Sequence, residues 1–235
     1  MASAPRVLIS CGGYAIVGIL FLIFLIINQG IVLGDRDAHS SVFHFSQILY
    51  FALFSFIFGF PWIGTKDNLI KFLNAVRSNK LKTVIATTAI VGSLYFSCHV
   101  HPYLLADNRH YTFYLWRRFL ACPKSPFSIS IFLTPLYAFS LYTIISTLRT
   151  KDTLWKYLFS ICLCISIVPQ KLLEFRYFIV PFTIWRLNIP NNQSNHLQLT
   201  LEFVLNCFVN ILTIYLFLYK TFKWPSSPDI QRFMW

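Results

Sequence analysis

Long apolar runs alternate along the chain with short polar segments. A helix needs about 20 mostly apolar residues to cross a bilayer. Six segments meet or approach that length: 7–33, 47–64, about 83–99, about 127–148, about 154–169 and about 199–219. A seventh, 175–189, is apolar but short and contains Arg176 and Arg186, so it is either a thin span or a segment lying in the interface. The pattern predicts an all-α polytopic membrane protein, a single transmembrane domain over residues 1–235 with six or seven spans.

Composition agrees with a membrane protein. Hydrophobic residues make up 56% of the chain and charged residues only 12%, against about 25% charged in soluble domains. The net charge is +12, but the basic residues lie in short segments between the apolar runs. Orientation in the membrane and contact with phosphate headgroups explain them better than nucleic acid does. We therefore expect membrane lipid, and no nucleic acid, as a partner.

The basic residues also predict an orientation. Loops 65–82 and 149–156 are rich in lysine and arginine, which places them in the cytoplasm. The opposite face then receives the loops at about 34–46, 100–126 and 169–175. Those three loops carry half of the acidic residues, namely Asp35, Asp37, Asp107 and Glu174. Any chemistry is therefore expected on the non-cytoplasmic face.

The strongest candidate for a binding site lies in the loop 100–126. Asp107, Asn108, Arg109 and His110 are consecutive and are followed by Tyr111 and further aromatic residues. Arginine binds phosphate through two hydrogen bonds, and histidine can share a proton with a phosphate oxygen. The segment is suited to hold an anionic lipid or a sugar phosphate at the membrane surface. The alternative is an aromatic belt with ordinary arginine anchors.

Two further polar groups each allow a functional and a purely structural interpretation. Lys171, Glu174 and Arg176 precede an apolar run, where they either meet a lipid phosphate or pair with one another at a helix end. Asp35 and Asp37 either position a substrate or belong to a solvated turn. With the nearby histidine they resemble half of a metal site, but the spacing is not diagnostic, and we expect no metal.

Six cysteines stand at positions 11, 98, 122, 162, 164 and 207, without metal-ligand spacing. Cys98 and Cys122 bracket the long polar loop and could form a disulfide if that loop is lumenal. Asn192 begins an N-glycosylation sequon. It matters only on the lumenal side, and the short segment 175–189 leaves that side undecided.

Two long motifs, HPYLLADNRHYTFYLWRR (101–118) and VPQKLLEFRYFIVPF (168–182), resemble those of one enzyme family. It is the endoplasmic-reticulum alpha-1,2-glucosyltransferase family, which adds the last glucose to the dolichol-linked oligosaccharide and uses dolichyl phosphate glucose as donor. GDRDAH (34–39) and PDIQRFMW (228–235) resemble that family too. The second motif is also similar to the His-Lys-Glu-x-Arg-Phe element of related transferases, although Gln170 stands near the position of the histidine.

The resemblance implies a multi-pass protein of the endoplasmic reticulum with a lumenal active face and a multi-span fold of the GT-C type. It implies an inverting transfer of glucose from dolichyl phosphate glucose to the diglucosylated lipid-linked oligosaccharide, without a cofactor. The cations expected on the donor phosphate are Arg109, His110, Lys171 and Arg176. The residues expected to support them are His101, Asn108 and Tyr111. The carboxylates considered for a catalytic role are Asp35, Asp107 and Glu174.

The chain departs from the family in length, because it resembles only the carboxy-terminal half of its members. The family fold implies a catalytic carboxylate in the first lumenal loop, near the amino terminus, and no equivalent of that loop is evident here. Either the chain is a fragment or an alternative product of a longer protein, or it is a truncated, inactive relative. The competing hypothesis is a non-catalytic membrane protein that modulates an ion channel or another membrane partner.

Overall fold

The computed structural model describes residues 4–31, 40–148, 152–189, 196–225 and 228–234. The chain divides into two compact units, Met1–Ser40 and Ser41–Trp235. The first contains helix α1, Ala4–Asn28. Within the described residues, two helical stretches are long and apolar enough to cross a membrane, Cys11–Asn28 and His196–Tyr219. The prediction of a single domain is not tested by this division and stays a prediction.

The described residues of the second unit form helices and one short hairpin, joined by loops. Its helices are α2 (Ser46–Phe58), α3 (Phe60–Ile63), α4 (Lys66–Ser78), α5 (Lys80–Phe96), α6 (Pro102–Ala106), α7 (Tyr111–Leu115), α8 (Ile129–Phe132), α9 (Thr134–Thr147), α10 (Thr153–Ile167), α11 (Arg176–Leu187) and α12 (His196–Tyr219). One turn of π-helix, Trp116–Leu120, follows α7. Strands β1 (Thr221–Lys223) and β2 (Ile230–Arg232) pair antiparallel, with Phe222 opposite Gln231.

Each apolar segment of the sequence contains a helix, and the short segment 175–189 is α11. The segment 65–82, which was predicted as a cytoplasmic loop, is mostly helical, because α4 occupies most of it. Its amino end is capped by the Thr65 hydroxyl, and Asp67 and Arg77 lie in its first and last turns, where their charges stabilise a helix. Phe72 packs edge-on against Phe139 of α9, which fixes one face of α4 to the bundle.

Helix α2 lies at the centre of the second unit, in contact with α5, α9, α10, α11 and α12. Aromatic rings join it to α11: Phe178 is fully buried and lies 6.0 Å from Phe51 and 5.7 Å from Phe54. Where α2 ends, a Cβ on Gly59 would lie 3.0 Å from the ring of Trp185 and 2.7 Å from a backbone oxygen. Glycine therefore permits the close approach of α11 at this point.

Three loops meet at one end of the unit, which we call the loop end. The backbone N–H of His44 donates to the Val168 carbonyl (3.0 Å), and its ring Nδ1 lies 3.2 Å from the Gln170 carbonyl. The other ring nitrogen, Nε2, accepts from the backbone N–H of His99 at 3.3 Å. These contacts require a neutral imidazole that carries its proton on Nδ1. The segments around residues 44, 99 and 170 are therefore fixed to one another.

An ion pair lies at the opposite end of the bundle. Arg186, in the last turn of α11, donates through Nε and Nη2 to the Glu202 carboxylate of α12, both at 2.7 Å. The indole N–H of Trp62 donates to the same carboxylate at 3.0 Å, and the guanidinium lies 3.9 Å from the centre of the Trp62 ring. Both charged side chains are less than one-fifth exposed. The arrangement ties α12 to α3 and α11.

Candidate functional site

The segment that follows α6 forms a tight turn around the Asp107 carboxylate. That carboxylate accepts from the backbone N–H of Arg109 (2.9 Å), from Nε (3.0 Å) and from Nη2 (2.6 Å). Aspartate commonly accepts from the backbone two residues on, so the sequence Asp-Asn-Arg favours this turn locally. These hydrogen bonds from Arg109 lower the pKa of Asp107 and raise that of the guanidinium. Asp107 is therefore an ionised group whose lone pairs are occupied, which suits it to orient Arg109.

The guanidinium of Arg109 keeps donors to offer. It has five N–H donors, of which Nε and one hydrogen of Nη2 are directed at Asp107. Its Nη1 has one long contact, 3.5 Å to the side-chain oxygen of Gln231. The end of the guanidinium, formed by Nη1 and Nη2, matches the geometry that binds phosphate or carboxylate oxygens in pairs. With its side chain one-third exposed, Arg109 is accessible to such an anion.

The carboxy-terminal hairpin completes this turn. The backbone N–H of Met234 donates to the Arg109 carbonyl (2.8 Å), and that of Tyr111 donates to the Met234 carbonyl (3.2 Å). The Trp224 indole N–H donates to Asn108 Oδ1 at 2.7 Å, and the Arg109 guanidinium lies 5.1 Å from the centre of the Trp224 ring. The motifs 101–118 and 228–235, which are far apart in sequence, thus form one surface.

The two predicted histidines of this segment, His101 and His110, differ in their exposure to solvent. His101 is fully buried, and its Nδ1 accepts from the backbone N–H of Tyr103 at 3.1 Å, so it caps α6. His110 is about one-third exposed and its Nε2 lies 3.7 Å from the Asp107 carboxylate, close enough to share an anion with Arg109.

Tyr111 lines an apolar cavity of about 300 Å³. Its hydroxyl is buried and, within the part of the chain that the structure describes, has no hydrogen-bond partner. Burial raises the pKa of this phenol. A buried hydroxyl without a partner costs about 1–3 kcal/mol, so Tyr111 is a further group that a ligand can satisfy.

The second predicted group lies after α10. Arg176 Nε is 2.9 Å from the Glu174 carboxylate, and the Arg176 side chain is 68% exposed. Lys171 is half-buried, and its backbone contacts the His44 ring. Over the described part of the chain, no hydrogen bond or ion pair joins this group to Asp107 and Arg109. The described residues therefore present two separate basic groups: the carboxy-terminal hairpin holds the first, and the segment around His44 and Gln47 holds the backbone beside Lys171 in the second.

Other sequence predictions have different outcomes. The structure joins Cys98 to Cys122 in a disulfide, which closes the loop that contains Arg109. Asp35 and Asn192 lie outside the described residues, and their roles stay predictions. In the described part of the chain, no three His, Cys, Asp or Glu side chains are grouped to hold a metal ion.

Sequence reasoning did not identify Trp224 and Gln231 individually as parts of the site. The only signal for this region was the motif at 228–235, which includes Gln231 but not Trp224.

Long apolar helices, with an exposed arginine and histidine near one end of the bundle, define the class as a helical membrane protein. The comparisons with known proteins agree with this class. The sequence profile of the DIE2/ALG10 family matches residues 1–187. The chain belongs to the DIE2/ALG10 family, which confirms the resemblance drawn from its motifs.

Several curated relatives carry one name, Dol-P-Glc:Glc(2)Man(9)GlcNAc(2)-PP-Dol alpha-1,2-glucosyltransferase. The chain is 42% identical to one from Homo sapiens over 94% of its own length and 46% of the relative. It is 34% identical to one from Arabidopsis thaliana over 98% of its length and 46% of the relative. The chain thus spans about half the length of these relatives. No solved structure matches it. None of the relatives named here is a channel modulator, so they give that hypothesis no support.

Proposed function

We propose that this chain carries the donor-binding part of a glucosyltransferase in the endoplasmic-reticulum membrane. The donor is dolichyl phosphate glucose, and the acceptor is the diglucosylated lipid-linked oligosaccharide. The observation that carries the proposal is the arrangement of Arg109, whose guanidinium is oriented by Asp107 and Trp224 while some of its N–H donors remain available to an anion. The name of the relatives supports the choice of anion, since it specifies a lipid-linked phosphate sugar.

The proposed chemistry assigns different tasks to the cations and the carboxylates. The acceptor hydroxyl attacks the anomeric carbon of the donor glucose, the bond from that carbon to the phosphate oxygen breaks, and its electron pair leaves with dolichyl phosphate. Arg109 and His110 stabilise the charge on this leaving group, as preorganised donors do. The hydroxyl proton passes to a carboxylate. Asp107 and Glu174 are poorly suited to accept it, because each is paired with an arginine.

The sidedness of the site forms part of the proposal. The disulfide Cys98–Cys122 is of the kind that persists in the oxidising endoplasmic-reticulum lumen. This supports a lumenal position for the loop end. Basic residues of α4 lie beyond the other end of α2, which supports a cytoplasmic position there. The proposed active face is therefore lumenal.

The same contacts support six crossings in the second unit. The crossings are formed by α2 with α3, by α5, by α8 with α9, by α10, by α11 and by α12. Helix α11 counts among them because the segment before it is bound at the loop end through Gln170, whereas Arg186 contacts Trp62 at the opposite end. If α1 spans as well, the total is seven. Large exposed apolar side chains on α12, such as Phe203 and Phe208, agree with contact to lipid.

Binding of the donor to the purified chain tests this function. The 235-residue protein is reconstituted in lipid nanodiscs and titrated with dolichyl phosphate [³H]glucose. We expect saturable binding that Arg109→Ala abolishes and Arg118→Ala preserves. Arg118 is a matched control because it is an exposed arginine in the same loop. Failure of the wild-type protein to bind, with its disulfide formed, would contradict the proposal.

A complementation experiment separates binding from catalysis. The chain is expressed in membranes that lack the alpha-1,2-glucosyltransferase, and the lipid-linked oligosaccharides are analysed by mass. Return of the triglucosylated species means that the chain is catalytically sufficient. Accumulation of the diglucosylated precursor, alongside donor binding in nanodiscs, means that the chain binds the donor without completing the transfer.

A further inference from the structure

The hairpin formed by β1 and β2 is held against the surface that contains Arg109 by both backbone and side-chain contacts. Met234 binds the carbonyl of Arg109 and the N–H of Tyr111, and these contacts fix the backbone on either side of His110. A parallel bridge joins His110 to Met234. The main-chain position of the proposed phosphate-binding residues therefore depends on a segment more than one hundred residues away.

Trp224 contacts the site from just after β1. Its indole N–H donates to Asn108 Oδ1 (2.7 Å), and the face of its ring lies 5.1 Å from the guanidinium carbon of Arg109. Asp107 holds the same guanidinium through Nε and Nη2. An aromatic face and a carboxylate thus restrict the guanidinium together, and Nη1, whose one contact is the long one to Gln231, keeps donor capacity for an anion.

The hairpin itself is fixed to α12. Nη1 of Arg232 donates to the carbonyls of Phe217 (2.9 Å) and Leu218 (2.7 Å). Those carbonyls belong to the last turn of α12, where backbone acceptors lack partners within the helix. The rings of Phe222 and Phe233 pack across the hairpin at 5.1 Å. The hairpin is therefore a rigid continuation of α12.

We propose that the hairpin is part of the donor site and that Trp224 is a positioning residue, which acts on the donor phosphate through Arg109 without touching the substrate. This inference rests on the proposed function. It explains why Arg109 is ordered for end-on binding, since a flexible arginine would lose more side-chain entropy when the phosphate binds. Asn108 has its role in the same arrangement, as the acceptor that fixes the indole ring.

A double-mutant cycle tests whether Trp224 acts through Arg109. Dolichyl phosphate [³H]glucose is titrated into nanodiscs that contain the wild-type chain, Trp224→Leu, Arg109→Lys, or both changes. Loss of a cation–π contact is expected to weaken donor binding by roughly three- to thirtyfold in Trp224→Leu. In the Arg109→Lys background the same substitution is expected to add much less, because the planar guanidinium that stacks on the ring is absent.

Two variants exclude a merely structural effect. Trp224→Phe keeps an aromatic face and is expected to restore most of the affinity that Trp224→Leu loses. Trp155→Leu makes the same chemical change in α10, where the ring stacks on Phe159 at 5.5 Å, and is expected to leave donor binding unchanged. Formation of the Cys98–Cys122 disulfide, read on non-reducing gels, verifies the fold of each variant.

The outcomes distinguish failure of this inference from failure of the proposed function. If the wild-type chain binds no donor, the proposed function fails and this inference fails with it. If the wild-type chain binds but Trp224→Leu matches it, or if its loss is equal in both Arg109 backgrounds, only the positioning role is overturned.

Discussion

Acidification is expected to destabilise the loop end through His44. This histidine is 1% exposed, and its two ring nitrogens are engaged by the Gln170 carbonyl and the His99 N–H. Burial is the main reason that its pKa falls from 6.5 to about 4, and the charge of the nearby His99 contributes in the same direction. The groups that face the ring are the side chains of His99 and Tyr50 and the backbone of Gln170 and Lys171.

The direction follows from proton binding. The unfolded chain takes up a proton on His44 as the pH falls below about 6.5, whereas the folded chain resists protonation until about pH 4. The stability supplied by neutral His44 is therefore complete above pH 6.5 and is lost progressively toward pH 4. At 1.36 kcal/mol per pKa unit, the loss approaches about 3 kcal/mol. For a domain of this size, that corresponds to a fall of roughly 6–12 °C in melting temperature.

The assay compares the wild-type protein with His44→Asn in thermal melts from pH 7.5 to pH 4.5. Asparagine keeps a side-chain donor near the position of Nδ1 but does not titrate, and both proteins retain His99 and every other ionisable group. We expect the variant to be less stable at pH 7.5 and to lose less stability on acidification. Equal pH dependence in the two proteins would refute the assignment of His44 as a buried neutral histidine.

Three further predictions concern stability and topology. Replacing Cys98 and Cys122 by alanine removes a cross-link over 24 residues; we expect a loss of about 3.5 kcal/mol in thermal or denaturant unfolding, and an unchanged stability would contradict it. Arg186→Met alone is expected to cost about 3–5 kcal/mol, because it leaves the Glu202 charge buried, whereas adding Glu202→Met should recover much of that loss. Endoglycosidase treatment of the protein is expected to leave its gel mobility unchanged, since the proposed topology puts the Asn192 sequon on the cytoplasmic side. A change in mobility would show that the sequon is glycosylated and would contradict this topology.

The helices could largely be predicted from the sequence, because apolar runs of this length have few alternatives to helices. The sequence could not decide whether the segment 175–189 crosses the membrane or lies in its interface. Arg186 interrupts its apolar pattern and suggests an interfacial position, but the structure pairs Arg186 with Glu202 on another helix. A partner 16 residues away in sequence, beyond a predicted loop, leaves no periodic signal.

The candidate site also has a part that could be predicted from the sequence and a part that could not. The segment from Asp107 to His110 is continuous in sequence, so its composition was enough to indicate a candidate site, whereas the pairing of Asp107 with Arg109 came from the structure. The contribution of Trp224 depends on a contact over 116 positions, which only the fold reveals. The grouping of Lys171 and Arg176 with Arg109 came from the family resemblance, and among the described residues no direct polar contact joins the two groups.

A single helix connects the Arg186–Glu202 ion pair with the hairpin that contacts Arg109. Helix α12 has 24 residues and a length of about 36 Å, close to the thickness of a bilayer. Glu202 near its beginning binds Arg186 and Trp62, and Arg232 fixes the hairpin to its last turn. A buried ion pair contributes little net stability compared with apolar packing, and in some proteins such polar groups select one packing arrangement over others. The cost of the Arg186–Glu202 pair is therefore consistent with a role in fixing α12, and with it the hairpin that orients Arg109.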